Sequence, residues 1–180
     1  MAHAVRGPLL DRPTLPEEFF SPLIAAAVYD PDPSFCRWFV EPALYVFGRR
    51  RVCKALVEYL RSGTDPERVG AIRAWYWVHM SLRADRRPAY APNGTRDPAL
   101  DTYQDVVHEW AETSLRLFAD SDNPRMRLHA LAHILTSPDV YTFPPHLHSL
   151  LEETLTIART DPDPYIRDWS AQVDRQRYAP

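Results

Sequence analysis

The sequence predicts an all-α fold, and three observations support this class. A pattern of acidic turn, helix-starting residue, Arg and small residue occurs twice in the second half of the chain, at a spacing of 40 residues. The equivalent residues in the two copies are Met126 and Ile166, Arg127 and Arg167, and Ala130 and Ser170. No stretch of four to eight residues alternates apolar and polar side chains in the way that a half-buried strand does. Many of the 18 prolines lie at the edges of apolar runs, where proline begins a helix.

Two helices are expected before residue 48. Apolar side chains at three- and four-residue steps predict the first from Glu17 to the Asp-Pro-Asp-Pro turn at residues 30–33. The second is expected to begin near Ser34 and to be interrupted or kinked at Pro42, because proline removes a backbone donor and clashes with the preceding turn. Gly48 is expected to mark a further break.

Two further helices are expected between residues 49 and 82. The segment from Arg49 to Leu60 carries an apolar stripe, with Gly63 placed as its C-terminal stop. Residues 64–66, Thr-Asp-Pro, then supply an N-cap and a first-turn proline for a helix that extends to about Leu82. This helix is apolar nearly all round, which indicates that it lies between neighbours. Residues 83–98 contain three prolines and are predicted to form the longest loop.

Four helices are expected after residue 102. Apolar side chains between Tyr103 and Phe118 follow helical steps, which predict an amphipathic helix of about five turns. Its partner is expected from residue 123 or 124 to 135, and a third helix from about residue 145 to 160. A last helix, from Tyr165 to about Gln176, closes the chain. The whole chain therefore has about seven or eight predicted helices, which are joined by short turns and paired antiparallel.

Composition predicts a mobile N-terminal tail, residues 1–16, followed by a single domain, residues 17–180. The tail contains three prolines and few apolar residues. Neither a secretory leader nor a run of about 18 apolar residues is present, so we expect a soluble cytoplasmic protein without a membrane partner. The two cysteines, Cys36 and Cys53, lie in apolar helical context and are expected to be buried free thiols.

The repeated pattern resembles a known helical repeat. The segment Asp122 to Leu135 resembles the second helix of a HEAT repeat, and the segment Asp161 to Val173 is similar. Residues 65–71 and 32–37 look like weaker copies, the former with Gly70 where the repeat usually has Arg. The resemblance covers most of residues 30–177. It implies a short right-handed α-α superhelix of HEAT-like helical hairpins, an α-solenoid.

The same resemblance implies roles for several charged residues. In HEAT-like arrays the turn aspartate and the helix-borne arginine usually bond between repeats, which gives a structural role to four residues of this chain. They are Asp122, Arg127, Asp163 and Arg167. The stretch from Phe47 to Ala71 also looks like uncharacterised actinobacterial helical proteins, a resemblance that implies no activity.

Charge is distributed unevenly and points to one candidate binding region. Residues 1–97 carry 14 basic against 11 acidic side chains, whereas residues 98–180 carry 7 against 13. Residues 49–87 hold ten basic side chains against four acidic ones, interleaved with aromatic rings. The candidate binding residues are Arg49, Arg50, Arg51, Arg73, Trp75, Trp77, Arg83, Arg86 and Arg87. Positive charge beside planar rings suits a nucleic acid or an acidic protein partner; the alternative is that the rings fill the core and the arginines solvate a loop.

Catalytic and metal-binding patterns are weak in this sequence. His129 and His133 have the spacing of two ligands on one helix, but the Glu of a zinc-peptidase helix is missing and no acidic residue completes a closed shell. There is no Gly-x-Ser-x-Gly elbow, no Cys with a nearby His signature and no phosphate-binding glycine loop. We therefore expect no catalytic residue, no metal and no cofactor, and the sequence favours a non-enzymatic protein.

These observations favour a protein-interaction module of a bacterial cytoplasm. The expected binding surface is the curved face of the HEAT-like scaffold or adaptor, which is lined by the second helix of each pair and docks a segment of another protein. A regulatory or toxin-neutralising role is one version of this hypothesis. The alternative is a nucleic-acid-binding protein that resembles the HEAT-like alkylpurine DNA glycosylases, a resemblance of architecture only.

Overall fold

The computed structural model describes residues 8–9, 15–82, 102–134 and 143–177. Within these ranges the chain forms a 3-10 turn, Glu17–Phe19, and eight α-helices, and contains no strand. The helices are α1 (Phe20–Tyr29), α2 (Arg37–Phe47), α3 (Arg49–Ser62), α4 (Asp65–Val78), α5 (Gln104–Asp120), α6 (Pro124–Leu131), α7 (Pro145–Arg159) and α8 (Pro164–Arg177). The predicted all-α class and the expected seven or eight helices are confirmed.

The helices form two compact units, residues 1–106 and residues 107–180. Helix α5 begins in the first unit and continues into the second. Most of the expected tail, residues 1–16, and almost all of the expected loop, residues 83–98, lie outside the described residues. Leu15 is described and buried. The single domain and the superhelical arrangement expected from the sequence stay predictions.

In the first unit, α1 packs against α2 and α4, and α3 packs against the same two helices. Each helix contributes an apolar stripe to the shared core, as the three- and four-residue spacing predicts. Deeply buried side chains include Ile24, Ala27 and Val28 of α1, Val40, Ala43 and Leu44 of α2, Val52, Leu56 and Val57 of α3, and Ala71, Ala74 and Val78 of α4. Helix α4 therefore lies between neighbours.

The approach of α1 to α4 depends on Gly70. A Cβ atom at this position would overlap the carbonyl oxygen of Val28 and lie 2.8 Å from its carbonyl carbon. Only a residue without a side chain lets the two backbones come this close. The Gly that departs from the HEAT pattern at this position is thus explained by helix packing.

Two breaks are expected in the segment that forms α2 and α3, at Gly48 and at Pro42, and only the break at Gly48 is found. Gly48 adopts φ 82°, a conformation that favours glycine, and it separates α2 from α3 as expected. Pro42 lies inside α2, so the expected interruption of this helix is wrong, and the alternative, a kink at Pro42, stays a prediction. Pro42 is buried together with its neighbours Glu41 and Ala43, and this packing outweighs the loss of one backbone donor.

The second unit has one core to which all four of its helices contribute. Helix α8 packs against both α7 and α6. The core combines Leu115 and Phe118 of α5, Ala130 and Leu131 of α6, Leu147, Leu151 and Leu155 of α7, and Ile166, Trp169 and Val173 of α8. Met126 and Ile166, which the repeat places at equivalent positions, are both buried.

The two copies of the repeat begin their second helices in the same way. Asn123 Oδ1 accepts a hydrogen bond from the backbone N–H of Arg125 (3.1 Å), and Asp163 Oδ1 accepts one from Tyr165 (2.8 Å). Two residues earlier, Ser121 Oγ and Asp161 Oδ1 accept the backbone N–H of Asn123 and Asp163. These side chains satisfy donors that a helix leaves unpaired at its start. The period seen in the sequence is therefore a structural repeat at the helix starts.

An ion pair joins the two copies. Arg127 Nη2 of α6 lies 2.6 Å from Oδ2 of Asp161, a buried residue of the turn before α8. Arg167 donates to the carbonyl oxygens of Asp161 (2.6 Å) and Pro162 (2.9 Å). Arg127 makes the contact between copies that the resemblance implies, with Asp161 as the turn aspartate. Arg167 and Asp163 bond within their own copy, so the expected contact between repeats is not seen for them among the described residues. Asp122 is exposed.

We expect the Gly70→Ala substitution to destabilise the protein by about 2 kcal/mol, because the new Cβ forces α1 and α4 apart. Helix propensity alone has the opposite sign and would stabilise the variant by about 1 kcal/mol. Chemical denaturation of the full chain measures the difference. A variant more stable than the wild type would show that the two helices are not in close contact at residue 70.

Stability is also expected to fall in acid through Glu67. Hydrogen bonds from the Tyr29 hydroxyl, and then from the Thr64 backbone N–H and hydroxyl (both 2.7 Å), lower the pKa of Glu67 from 4.5 to about 2. A carboxyl whose pKa is lower in the folded state contributes stability above pH 4.5 and loses it as the pH falls towards 2.

The Glu67→Gln variant should therefore lose less stability than the wild type between pH 4.5 and pH 2. Tyr29→Phe, which removes the largest of these contributions, should give an intermediate slope. Urea denaturation at a series of pH values measures these slopes. Identical slopes in the wild type and Glu67→Gln would contradict the assignment.

Candidate functional site

The structure places Arg49 at the C-terminal end of α4. Its guanidinium donates hydrogen bonds to the carbonyl oxygens of Val78 and Met80, the latter at 3.0 Å. It also lies over the ring of Tyr103, 5.5 Å from the ring centroid. The last carbonyls of a helix have no partner within the helix and carry partial negative charge, so a cation is favourable there. Arg49 stabilises the end of α4.

Arg50 and Arg51 pair with carboxylates far away in the sequence. Both Arg50 nitrogens hold the carboxylate of Asp105, and Arg50 also donates to the Thr102 carbonyl (3.2 Å). Arg51 holds Glu17 in the same bidentate manner and lies 4.0 Å from the Phe20 ring centroid. These hydrogen bonds lower the pKa of Asp105 and of Glu17. The two arginines anchor both ends of the first unit to α3.

Two of the next three candidates, Arg73 and Trp77, bind the turn between α1 and α2. The third, Trp75, lies in the core. Arg73 donates to the Pro31 carbonyl at 2.8 Å. Trp77 Nε1 donates to the Pro33 carbonyl at 2.9 Å, and its ring is partly exposed. Trp75 is only 2% exposed, so its ring is not available for stacking on a base. The contacts of these three side chains are therefore made with the α1–α2 turn and the core.

The remaining candidates, Arg83, Arg86 and Arg87, lie outside the described residues. The binding role of the whole set stays a prediction. Its described arginines all have partners within the first unit, and those partners are carbonyl and carboxylate oxygens of the chain itself.

A groove that the sequence analysis did not single out lies in the second unit, between α6 and α8. Its volume is about 270 Å³. One wall consists of Leu128, His129, Leu131 and Ala132, at the end of α6 and directly after it. The other wall consists of Tyr165, Asp168, Trp169 and Gln172 of α8. These are the second helices of the two repeat copies.

The groove residues occupy equivalent positions in the two copies. A shift of 40 residues places Leu128 on Asp168, His129 on Trp169, and Ala132 on Gln172. Positions three and four residues apart lie on one face of a helix, so each copy presents the same face to the groove. The 40-residue period was the signal in the sequence that could have identified these residues.

The groove is largely apolar and has exposed apolar edges. Leu128 is 36% exposed and Tyr165 is 72% exposed, although both are large apolar or aromatic side chains. Asp168 is the one carboxylate in the lining, and its Oδ2 accepts a hydrogen bond from the amide of Gln172 at 2.7 Å. Trp169 Nε1 is buried and has no hydrogen-bond partner in the described part of the chain. The groove thus combines apolar contact area with a few polar groups, among them the Asp168 carboxylate and Trp169 Nε1.

Metal and thiol chemistry have little support among the described residues. No group of three or more His, Cys, Asp and Glu side chains is placed to hold a metal ion in these ranges. Burial raises the pKa of Cys36 to about 11 and that of Cys53 to about 12. Both described thiols are therefore protonated near neutral pH and are poor nucleophiles.

Comparison with known proteins gives no assignment. No protein-family model, no curated protein and no solved structure matches the chain. In the part of the chain that the structure describes, no helix combines the length and the apolar character needed to cross a membrane. The groove geometry is therefore the main guide to function.

We expect Arg49→Ala to destabilise the protein by about 2 kcal/mol, because two carbonyls at the end of α4 lose a charged donor. Lys54→Ala is a matched control, because Lys54 is an exposed basic residue on the same helix. It should change the stability by less than about 0.5 kcal/mol. Thermal or urea denaturation compares the two, and equal losses would refute the capping role of Arg49.

Proposed function

We propose that this protein is a non-enzymatic interaction module, a HEAT-like scaffold or adaptor of a bacterial cytoplasm. Its second unit docks a segment of another protein in the groove between α6 and α8. The observation that carries this proposal is the apolar groove itself, with Leu128 and Tyr165 exposed at its edges. The repeat pattern predicts binding on the face lined by the second helix of each pair, and α6 and α8 are the second helices of the two copies.

The size and chemistry of the groove suit a polypeptide segment. Pockets for small molecules are usually about 300–1,000 Å³ and enclose most of the ligand. The groove of about 270 Å³ lies below this range and is suited to one or two side chains of a docked segment. Exposed aromatic and aliphatic side chains around a concave site are typical anchors of protein interfaces. An amphipathic helix in a groove is a recurrent mode of this kind.

The lining also supports a binding role over a catalytic one. None of the eight lining residues is Ser, Thr, Cys or Lys, the side chains that most often act as nucleophiles. Asp168 makes its hydrogen bond to the neutral amide of Gln172.

The HEAT-like identity rests on the repeat in sequence together with the contact between its copies. The Arg127–Asp161 pair joins the two copies in the manner that the resemblance implies. A regulatory or toxin-neutralising role remains one version of the proposal. The nucleic-acid alternative gains no specific observation, because Arg49, Arg50, Arg51 and Arg73 all donate to oxygens of their own unit.

We expect the Leu128→Lys variant to lose binding. Dodecapeptides selected from a random phage-displayed library on the immobilised full-length chain serve as the probe. Replacing an apolar edge of the groove with a charge should weaken the affinity of the selected peptides by about tenfold or more. Ile157→Lys is the matched control, because Ile157 is 42% exposed but lies on α7 outside the groove. It should bind the peptides as the wild type does.

Fluorescence polarisation with labelled peptides measures both affinities, and circular dichroism checks that both variants are folded. Peptides that bind the wild type and Leu128→Lys equally well would show that the groove is not a binding site. A library from which no peptide is enriched would count against the proposal as well.

A further inference from the structure

The lining of the groove is asymmetric in charge. Asp168 contributes a carboxylate, and no Lys or Arg is among the lining residues. The partner of Asp168 is the neutral amide of Gln172, so its negative charge is not compensated by this contact. The exposed basic residues Arg125 of α6 and Arg175 of α8 lie outside the lining. A cation carried by the occupant would supply the missing positive charge.

Among the residues that the structure describes, charged side chains around the groove also leave it without a compensating cation. Two further arginines of the second unit, Arg159 and Arg167, are held by Asp174 and by the turn carbonyls before α8. Arg127 is paired with Asp161. Residues 98–180 carry 7 basic against 13 acidic side chains, so this part of the chain is negatively charged as a whole. A field of this sign attracts basic segments before contact is made.

We infer that the groove between α6 and α8 selects a basic amphipathic helix from a partner protein. In this arrangement an apolar side chain of the helix enters between Leu128 and Tyr165, and an Arg or Lys about one turn away pairs with Asp168. The inference rests on the proposed function and specifies the chemistry of its partner.

The two interactions reinforce each other. An exposed ion pair contributes little in water, where the dielectric constant is high and salt screens it. An apolar side chain in the groove excludes water from the side of Asp168 that faces it, which strengthens the attraction to the neighbouring cation. The apolar anchor therefore provides most of the affinity, and the cation provides the preference among apolar segments.

The test is a double-mutant cycle on the best-enriched dodecapeptide from the library. Asp168→Asn in the protein and replacement of the peptide's basic residue by Gln should each weaken binding about fivefold. The two changes together should be no worse than either alone. Glu153→Gln, which removes an exposed carboxylate on α7 outside the groove, is the matched control and should leave the affinity unchanged.

The outcomes separate this inference from the proposed function. Coupled losses, together with weaker binding at higher salt, would support the basic helix. Peptides that lose binding to Leu128→Lys but contain no basic residue, or that bind Asp168→Asn normally, would overturn the inference and leave the docking groove intact. Peptides that bind Leu128→Lys as tightly as the wild type would overturn both the inference and the proposed docking function.

Discussion

The second unit depends on one buried carboxylate, Asp161. Its Oδ1 accepts the N–H of Asp163, its Oδ2 pairs with Arg127 of α6, and its carbonyl accepts a hydrogen bond from Arg167 of α8. A single residue thus ties the end of one repeat copy to the start of the next. A buried charge is costly unless it is paired, so the Arg127 cation offsets the cost of burying Asp161. Asp161 contacts both α6 and α8, the helices that line the groove.

Much of the fold was predictable because it is encoded in local chemistry. N-caps, first-turn prolines and apolar spacing act within a few residues, and they predicted where the helices begin and which faces they bury. The bonding partners of the arginines could not be predicted from local sequence. Arg50 meets Asp105 across 55 residues of sequence, and a pattern of basic residues cannot show that such a partner is near. A basic stretch therefore predicts a binding surface, and this pattern does not reveal that its described arginines also connect parts of the fold.

The groove was missed for a related reason. Leu128 and Tyr165 look like ordinary members of apolar stripes, and only the fold shows that they remain exposed. Gly70 is the converse case. The sequence shows it as a departure from the repeat pattern, and the structure shows that it lets α1 and α4 pack closely. The described candidate arginines of the first unit bind its own helix ends, turns and carboxylates, whereas the second unit has an apolar groove with an exposed carboxylate, Asp168.

In the second helix of each repeat copy, different positions have different roles. Met126 and Ile166, together with their neighbours one turn on, pack in the core. Arg127 and Arg167 bond to Asp161 in the turn before α8. The groove draws mainly on the positions that follow, such as Leu128 and its counterpart on α8. Because the positions that pack the core and those that line the groove are largely distinct, most groove residues can be substituted without loss of core packing. Under the proposed docking role, a few such substitutions would change the partner and leave the fold intact.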